Sequence, residues 1–245
     1  MSRRVLVCGA SAGIGRAIAI AFAQQGDTVF GLARREEKLR ELVSFGITPV
    51  VADLDNREEV ISKIAIHLPF QIVINNTGGP ASGALTEASC SELEIGFGRH
   101  VLASHRILQT VLPDMKENKF GRFINIVSTS VYEPIPNLGV SNTIRAAMAG
   151  WAKSISKELP PGITINNILP GYTDTERLAS LKKSIAVSKN ISEKEVHEQW
   201  LGKVPEARFA SPQEIAEAVL FLACDKGSYI RGVSLAVDGG RLQSI

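Results

Sequence analysis

Short apolar runs alternate with stretches of helical periodicity along the whole chain. Residues 5–8, 28–33, 47–52, 71–74, 123–127, 163–169 and 233–237 are short and mostly apolar. That is the pattern of strands buried on both faces. Between them lie helical patterns. Residues 14–25 put Ile14, Ala17, Ile18, Ala21 and Phe22 on one face before Gly26 stops the run. Residues 36–45 form a charged amphipathic stretch, and residues 57–67 align Val60, Ile64 and His67 on one stripe. Further helices are expected over 91–116, 143–159, 176–204 and 212–224. The alternation predicts a single-domain α/β Rossmann fold, a doubly wound seven-stranded parallel sheet with helices on both faces. No Pro/Gly/Ser linker or repeat divides the chain, so residues 1–245 read as one domain. Residues 172–205 follow a strand end with weak periodicity and many lysines. Such a long excursion reads as a lid or substrate loop; a plain surface insertion is the alternative.

Charge and cysteine content narrow the classes of function. The 27 basic and 25 acidic residues give a net charge of +2, too balanced for a nucleic-acid-binding stripe. No apolar run reaches the roughly 18 residues of a membrane-spanning helix. Three scattered cysteines, Cys8, Cys90 and Cys224, suggest buried thiols in a reducing compartment, and a cytoplasmic location is expected. Arg3-Arg4 looks like a twin-arginine export signal, but the apolar stretch from Val5 to Cys8 is too short to follow one. No His/Cys/Asp spacing suggests a metal site. His100 and His105 fall roughly 140° apart around a helix.

The strongest chemistry lies between the first strand and the first helix. Gly9-Ala10-Ser11-Ala12-Gly13-Ile14-Gly15 is a glycine-rich turn of spacing G-x-x-x-G-x-G. Glycines let the backbone approach a pyrophosphate, and the helix N-terminus offers free N–H groups and partial positive charge. Gly9, Ser11, Gly13, Ile14 and Gly15 are therefore candidate dinucleotide contacts. The second strand ends at Ala33-Arg34-Arg35, without the acid that would bind a ribose 2′-hydroxyl. Two arginines suit a 2′-phosphate instead, so NADP is the expected cofactor, with NADPH preferred over NADH. A solvated charge cluster with Glu36 and Glu37 is the alternative. Asp53, past the third strand, could accept from an adenine amino group or simply cap a helix near Asn56.

These features resemble the short-chain dehydrogenase/reductase family over nearly the whole chain. Asn75-Asn76-Thr77-Gly78-Gly79 resembles the family's Asn-Asn-Ala-Gly after the fourth strand. Pro170-Gly171 with Thr175 resembles its Pro-Gly-x-x-x-Thr, and Val237-Asp238-Gly239-Gly240 its C-terminal strand signature. Within the family the pattern looks most like the 3-oxoacyl-[acyl carrier protein] reductase group, which works in fatty acid biosynthesis. The resemblance adds Leu54, Asn76, Thr77, Gly78, Arg145, Pro170, Gly171, Thr173 and Thr175 to the cofactor contacts. It also implies a homotetramer or homodimer, built across helices 91–116 and 143–159. No nucleic-acid or membrane partner is expected.

The family's catalytic tetrad of Asn, Ser, Tyr and Lys is altered. Ser128 stands where the family's Ser belongs. The Tyr position is Ser141, the Lys position four residues on is Arg145, and the Asn falls near His100. In the family, Tyr protonates the carbonyl oxygen with its pKa lowered by Lys. A serine hydroxyl is about three or more units less acidic, roughly 4 kcal/mol or a thousandfold in rate if fully expressed. Ser128 and Ser141 could still donate hydrogen bonds, Arg145 could hold the nicotinamide ribose, and His100 could shuttle a proton near neutral pH. Tyr132 could swing toward the pocket, but a loop aromatic is the plainer reading. The expected function is an NADP-dependent oxidoreductase acting on a small-molecule carbonyl or acyl substrate. The alternative is an NADP-binding sensor or scaffold without turnover.

Overall fold

Seven strands follow the expected runs: β1 (Arg4–Cys8), β2 (Thr28–Ala33), β3 (Thr48–Val51), β4 (Ile72–Asn75), β5 (Gly121–Ile126), β6 (Ile163–Pro170) and β7 (Ser234–Val237). In this computed structural model, which describes residues 2–244, they form one parallel sheet of order β3-β2-β1-β4-β5-β6-β7. Met1 and Ile245, the ends of the expected domain, lie outside the described residues. The strand order reverses between β1 and β4, the crevice where doubly wound sheets bind ligands.

Alternation along each strand divides the core into two layers. Val5, Val7, Ile72, Ile74, Ile124 and Ile126 face α1 (Gly13–Gln24) and α9 (Pro212–Ala223). Leu6, Cys8, Val73 and Phe123 face the opposite layer. That layer holds α3 (Arg57–Ala65), α5 (Ala103–Glu117) and α6 (Gly139–Glu158). Both sheet faces are thereby covered, which is why the strands read as continuous apolar runs.

One row of the sheet is polar. Asn75, Asn125, Asn167 and Ser234 are in register on β4, β5, β6 and β7. The Asn75 amide donates to Asn125 Oδ1 at 3.1 Å, Asn125 donates to Asn167 Oδ1 at 2.9 Å, and Asn167 donates to Ser234 Oγ at 3.0 Å. The three amides are buried, so each depends on its neighbour for hydrogen bonds that water cannot supply.

Several expected helices differ in extent. The 36–45 run is α2 (Glu36–Arg40) followed by a 3₁₀ segment (Glu41–Phe45), stopped by Gly46 at φ 76°. The 91–116 helix is broken. α4 (Cys90–Phe97) passes into a π-helical turn (Gly98–Leu102) before α5, and such turns cluster at functional sites. α6 begins four residues before the expected 143, which places Ser141 in its first turn. The 176–204 stretch is two helices, α7 (Glu176–Lys189) and α8 (Glu193–Leu201). Asn190 in the left-handed region ends the first, and a Ser192/Glu195 capping box starts the second. Of the three cysteines only Cys8 is buried, its thiol pushed up to about 12 by burial; Cys90 is exposed and Cys224 half-buried. Among the described residues no helix is long and apolar enough to cross a membrane, and no cluster of potential metal ligands occurs.

Candidate active site

The carboxyl ends of β1, β2, β4, β5 and β6 open into a cleft of about 620 Å³. Its floor near β1 is the glycine turn. A Cβ on Gly15 would collide with the Gly9 carbonyl, and one on Gly9 with the Asn76 carbonyl, so turn, helix and β4 pack as close as backbone allows. Asn76 donates its side-chain amide to the carbonyls of Cys8 (3.4 Å) and Gly9 (3.3 Å). It lines the cleft, and its amide holds the turn in place. α4, α8 and α9 each carry a capping box. α1 instead starts at Ala12 with no side-chain cap and no acid in its first turn. Ser11, Ala12, Gly13 and Ile14 line the cleft, so the uncapped N-terminus is left for an anion. Gly15 packs behind the turn and does not line the cleft.

At the end of β2, Arg35 donates to Ser11 Oγ from Nη2 at 3.2 Å and from Nε at 3.4 Å. Arg34 Nη1 is 3.6 Å from Asp53 Oδ2. The acids at the start of α2 do not absorb these two cations: Glu36 pairs with Arg40. Asp53 accepts from the Asp55 backbone N–H at 3.1 Å, while Asn56 caps α3, which removes the capping reading of Asp53. Leu54, Thr77, Gly78, Pro170 and Gly171 also line the cleft. Thr175 lines it as the N-cap of α7, and its methyl lies 3.3 Å from where a Cβ on Gly13 would sit. Thr173 does not line it. That residue is buried and donates to the Gly171 carbonyl at 3.3 Å, so it shapes the backbone beneath the cleft.

Three of the four expected catalytic residues converge. Ser128 at the end of β5 and Ser141 and Arg145 on successive turns of α6 line the same cleft. Arg145 is 9% exposed and donates from Nη1 to the Ile126 carbonyl at 2.9 Å; its Nε has no partner. Burial, then the nearby Arg177, push its pKa down to about 10, which leaves it charged at neutral pH.

His100 is different. It is buried in the π-helical turn, where it lines a separate small pocket that also touches Arg145. Burial, followed by the charges of Arg145 and Arg99, pushes its pKa down to about 3, against a hydrogen bond to the Gly78 backbone. Its imidazole is therefore neutral near pH 7 and does not serve there as the proton donor that the sequence suggested. His105 lies elsewhere, accepting from Trp151 Nε1 at 3.3 Å. Tyr132 does not reach the cleft: its hydroxyl donates to the Ser234 carbonyl at 3.4 Å, as a loop aromatic would.

Among the cleft residues that escaped sequence reasoning, two are arginines near the catalytic positions. Arg177 at the start of α7 and Arg241 after the last strand both line the cleft. Arg241 donates to Thr129 Oγ1 at 2.9 Å and stacks over Tyr172, 5.1 Å from the ring centroid. Arg241 follows the Asp238-Gly239-Gly240 signature directly, the only sequence signal for it.

Comparison with known proteins agrees with this geometry. A family model described as Enoyl-(Acyl carrier protein) reductase matches residues 9–241. The chain is 30% identical to the NADPH-dependent reductase BacG of Bacillus subtilis, covering 100% of both chains. It is 31% identical to the 3-oxoacyl-[acyl-carrier-protein] reductase FabG of Staphylococcus aureus, covering 98% of each. Among solved structures, YwfH, an NADPH-dependent reductase involved in bacilysin biosynthesis, superimposes with a TM-score of 0.93 at 28% identity over 100% of both chains.

Proposed function

The chain belongs to the short-chain dehydrogenase/reductase family, and from that premise we propose that it is an NADPH-dependent reductase of a small carbonyl or acyl substrate. One observation carries the cofactor. The uncapped N-terminus of α1 opens into the cleft beside Arg34 and Arg35, with no acid at the end of β2. The residues present fit NADP. The N-terminus of α1 and Ser11 suit a pyrophosphate, and Arg34 and Arg35 suit a 2′-phosphate. Asp53, Leu54, Thr77, Gly78, Pro170, Gly171 and Thr175 complete the walls.

Bound NADPH would supply the hydride. The chain's own task is to position a carbonyl and to stabilise the negative charge that develops on its oxygen. Ser128 and Ser141 are the hydroxyl donors for that oxygen, and Arg145 is a fixed, largely desolvated positive charge beside them. Tyr172 is the one phenol among the described cleft residues, stacked under Arg241, and no lysine lines the cleft to acidify it. Oxyanion stabilisation therefore replaces rapid proton donation as the main contribution of the protein, and the alkoxide left by hydride addition takes its proton from solvent water, relayed through the Ser141 hydroxyl. A 3-oxoacyl thioester is one candidate substrate; the similarity to BacG is as strong as that to FabG, which keeps the substrate class wider. The non-catalytic sensor reading is the less favoured one, because Ser128, Ser141 and Arg145 still converge on one cleft.

Two further features belong to the same reading. α7 and α8 form a lid over the cleft, packed through Ala186, Val196 and Trp200 against Tyr172 and Phe209. A homodimer or homotetramer is supported by Ile95, Phe97 and Leu102, exposed large apolar side chains along α4 and the π-helical turn. The test of the function is to titrate NADPH and NADH, then follow NADPH oxidation against a carbonyl panel that includes acyl thioesters. Turnover with NADPH is expected; absence of NADPH binding would remove the reading.

A further inference from the structure

Three polar side chains converge on one point at the wall of the cleft. Arg145 Nη2 lies 3.5 Å, Arg177 Nη2 3.7 Å and Ser141 Oγ 3.8 Å from the position a Cβ on Gly79 would occupy. Because residue 79 is glycine, no side chain stands between these three groups and the cleft beside it. Arg177 reaches it from the lid, where its Nη2 also donates to the Pro80 carbonyl at 2.8 Å. Among the described residues neither Arg145 nor Arg177 has a carboxylate within ion-pair distance. Two guanidinium groups that share a site without an acid repel each other, and the buried Arg145 lacks the counter-charge that normally accompanies burial, while Arg177 is exposed beside it. Arg145 shows the cost in its lowered pKa and in an Nε without a partner.

An NADP molecule accounts for Arg145 at most, through the nicotinamide ribose, and not for Arg177. Its 2′-phosphate is matched by Arg34 and Arg35, and its pyrophosphate by the N-terminus of α1. No atom of Arg177 comes within 4 Å of a Cβ placed on Gly13 at that N-terminus.

We infer that the substrate carries a carboxylate close to its reducible group, held between Arg145 and Arg177 at the point beside Gly79 and Ser141. The inference rests on the reductase reading and names its substrate class. Planar forked donors match a carboxylate geometrically, and the bound anion supplies the missing counter-charge. Arg177 is then the residue that selects acids over neutral carbonyl compounds. It stands on the lid, so binding an acid also ties α7 to the opposite wall of the cleft.

The test uses matched probes, phenylglyoxylate and 2-oxobutanoate against their methyl esters, bound to the full-length protein saturated with NADP⁺ and measured by calorimetry. At least one acid should bind about tenfold or more tightly than its ester. Arg177→Gln should bring that pair within about threefold while leaving NADPH affinity within about twofold, and Arg177→Lys should keep part of the preference. Gly79→Ala provides an independent arm. Its methyl would meet neighbours only at ordinary contact distances, so it fills the point without disturbing the fold, and acid binding should fall by about tenfold. The proposal is overturned if esters bind as well as acids, or if no acid binds at roughly 10 mM. It is equally overturned if Arg177→Gln weakens NADPH as much as acid, which would assign Arg177 to the cofactor pyrophosphate. Failure of the reductase reading looks different: the acids bind selectively, yet no probe oxidises NADPH.

Discussion

Arg35 donates two hydrogen bonds to Ser11 Oγ, which ties the end of β2 to the glycine turn at the mouth of the cleft. This contact places Arg35 beside the glycine turn, where the proposed 2′-phosphate would bind. Arg34, held 3.6 Å from Asp53, stands next to it. Replacing both by alanine removes two charged donors, each worth about 1.5–3 kcal/mol when it binds an anion. The ratio of NADPH to NADH affinity should fall by about a hundredfold. An unchanged ratio in fluorescence titrations would refute the 2′-phosphate assignment.

Ser141 and Arg145 lie on successive turns of α6 and face the same cleft. If they occupy the family's Tyr and Lys positions, Ser141→Tyr with Arg145→Lys restores an acid and the ammonium that lowers its pKa. Reduction of a neutral ketone should rise by about tenfold or more. The double change is needed, because a phenol without the ammonium keeps a pKa near 10. Loss of an existing activity would instead show that Ser141 and Arg145 form a working site of their own.

The amide row across β4, β5, β6 and β7 depends most on its centre. Asn125→Ala strands the Asn75 donor and the Asn167 acceptor in a buried layer. Each stranded group costs about 1–3 kcal/mol, so a loss of roughly 2–6 kcal/mol is expected. Thermal denaturation should move down by several degrees; a shift below about 1 °C would mean that the row contributes nothing.

His100 sets an acid limit. Its pKa is about 3 in the folded chain, against about 6.5 when exposed. Between those values the unfolded chain binds the extra proton, so this residue makes stability fall as pH falls from 6.5 toward 3. Above 6.5 both states are neutral, so the pH dependence disappears and stability is at its full value. His100→Asn should flatten that decline by up to about 1 kcal/mol per pH unit, measured by urea denaturation across the window. An unchanged slope would place His100 in a wetter setting. The pH profile of turnover should likewise lack a histidine step near 6.5.

The strands and the glycine turn were legible because their signals are local. Apolar runs mark strands covered on both faces, and glycines mark the turn. The break at Asn190 was legible too, from Ser192 and Glu195 at capping-box spacing, but the charged stretch around it masked the signal. The π-helical turn has no such mark beyond Gly96 and Gly98, and it decides where His100 points. Asn75 follows an apolar run while Asn125 and Asn167 interrupt theirs, and only pairing across the sheet reveals their row. Arg177 and Arg241 enter the site through tertiary packing of α7 and of the segment after β7, which spacing in the chain does not encode.

The central claim is hydride transfer from NADPH in a cleft where Ser141 and Arg145 stand on α6 and no lysine is present among the described lining residues. The most direct measurement incubates the protein with NADPH deuterated at one face of nicotinamide C4 and a panel of oxo acids, ketones and acyl thioesters. Products are then read by mass spectrometry. One deuterium per reduced product, delivered from a single face and abolished by the Arg34→Ala, Arg35→Ala double change at limiting cofactor, is the expected result. A protein that binds NADPH tightly yet returns no labelled product across the panel would contradict the claim and leave a binding protein.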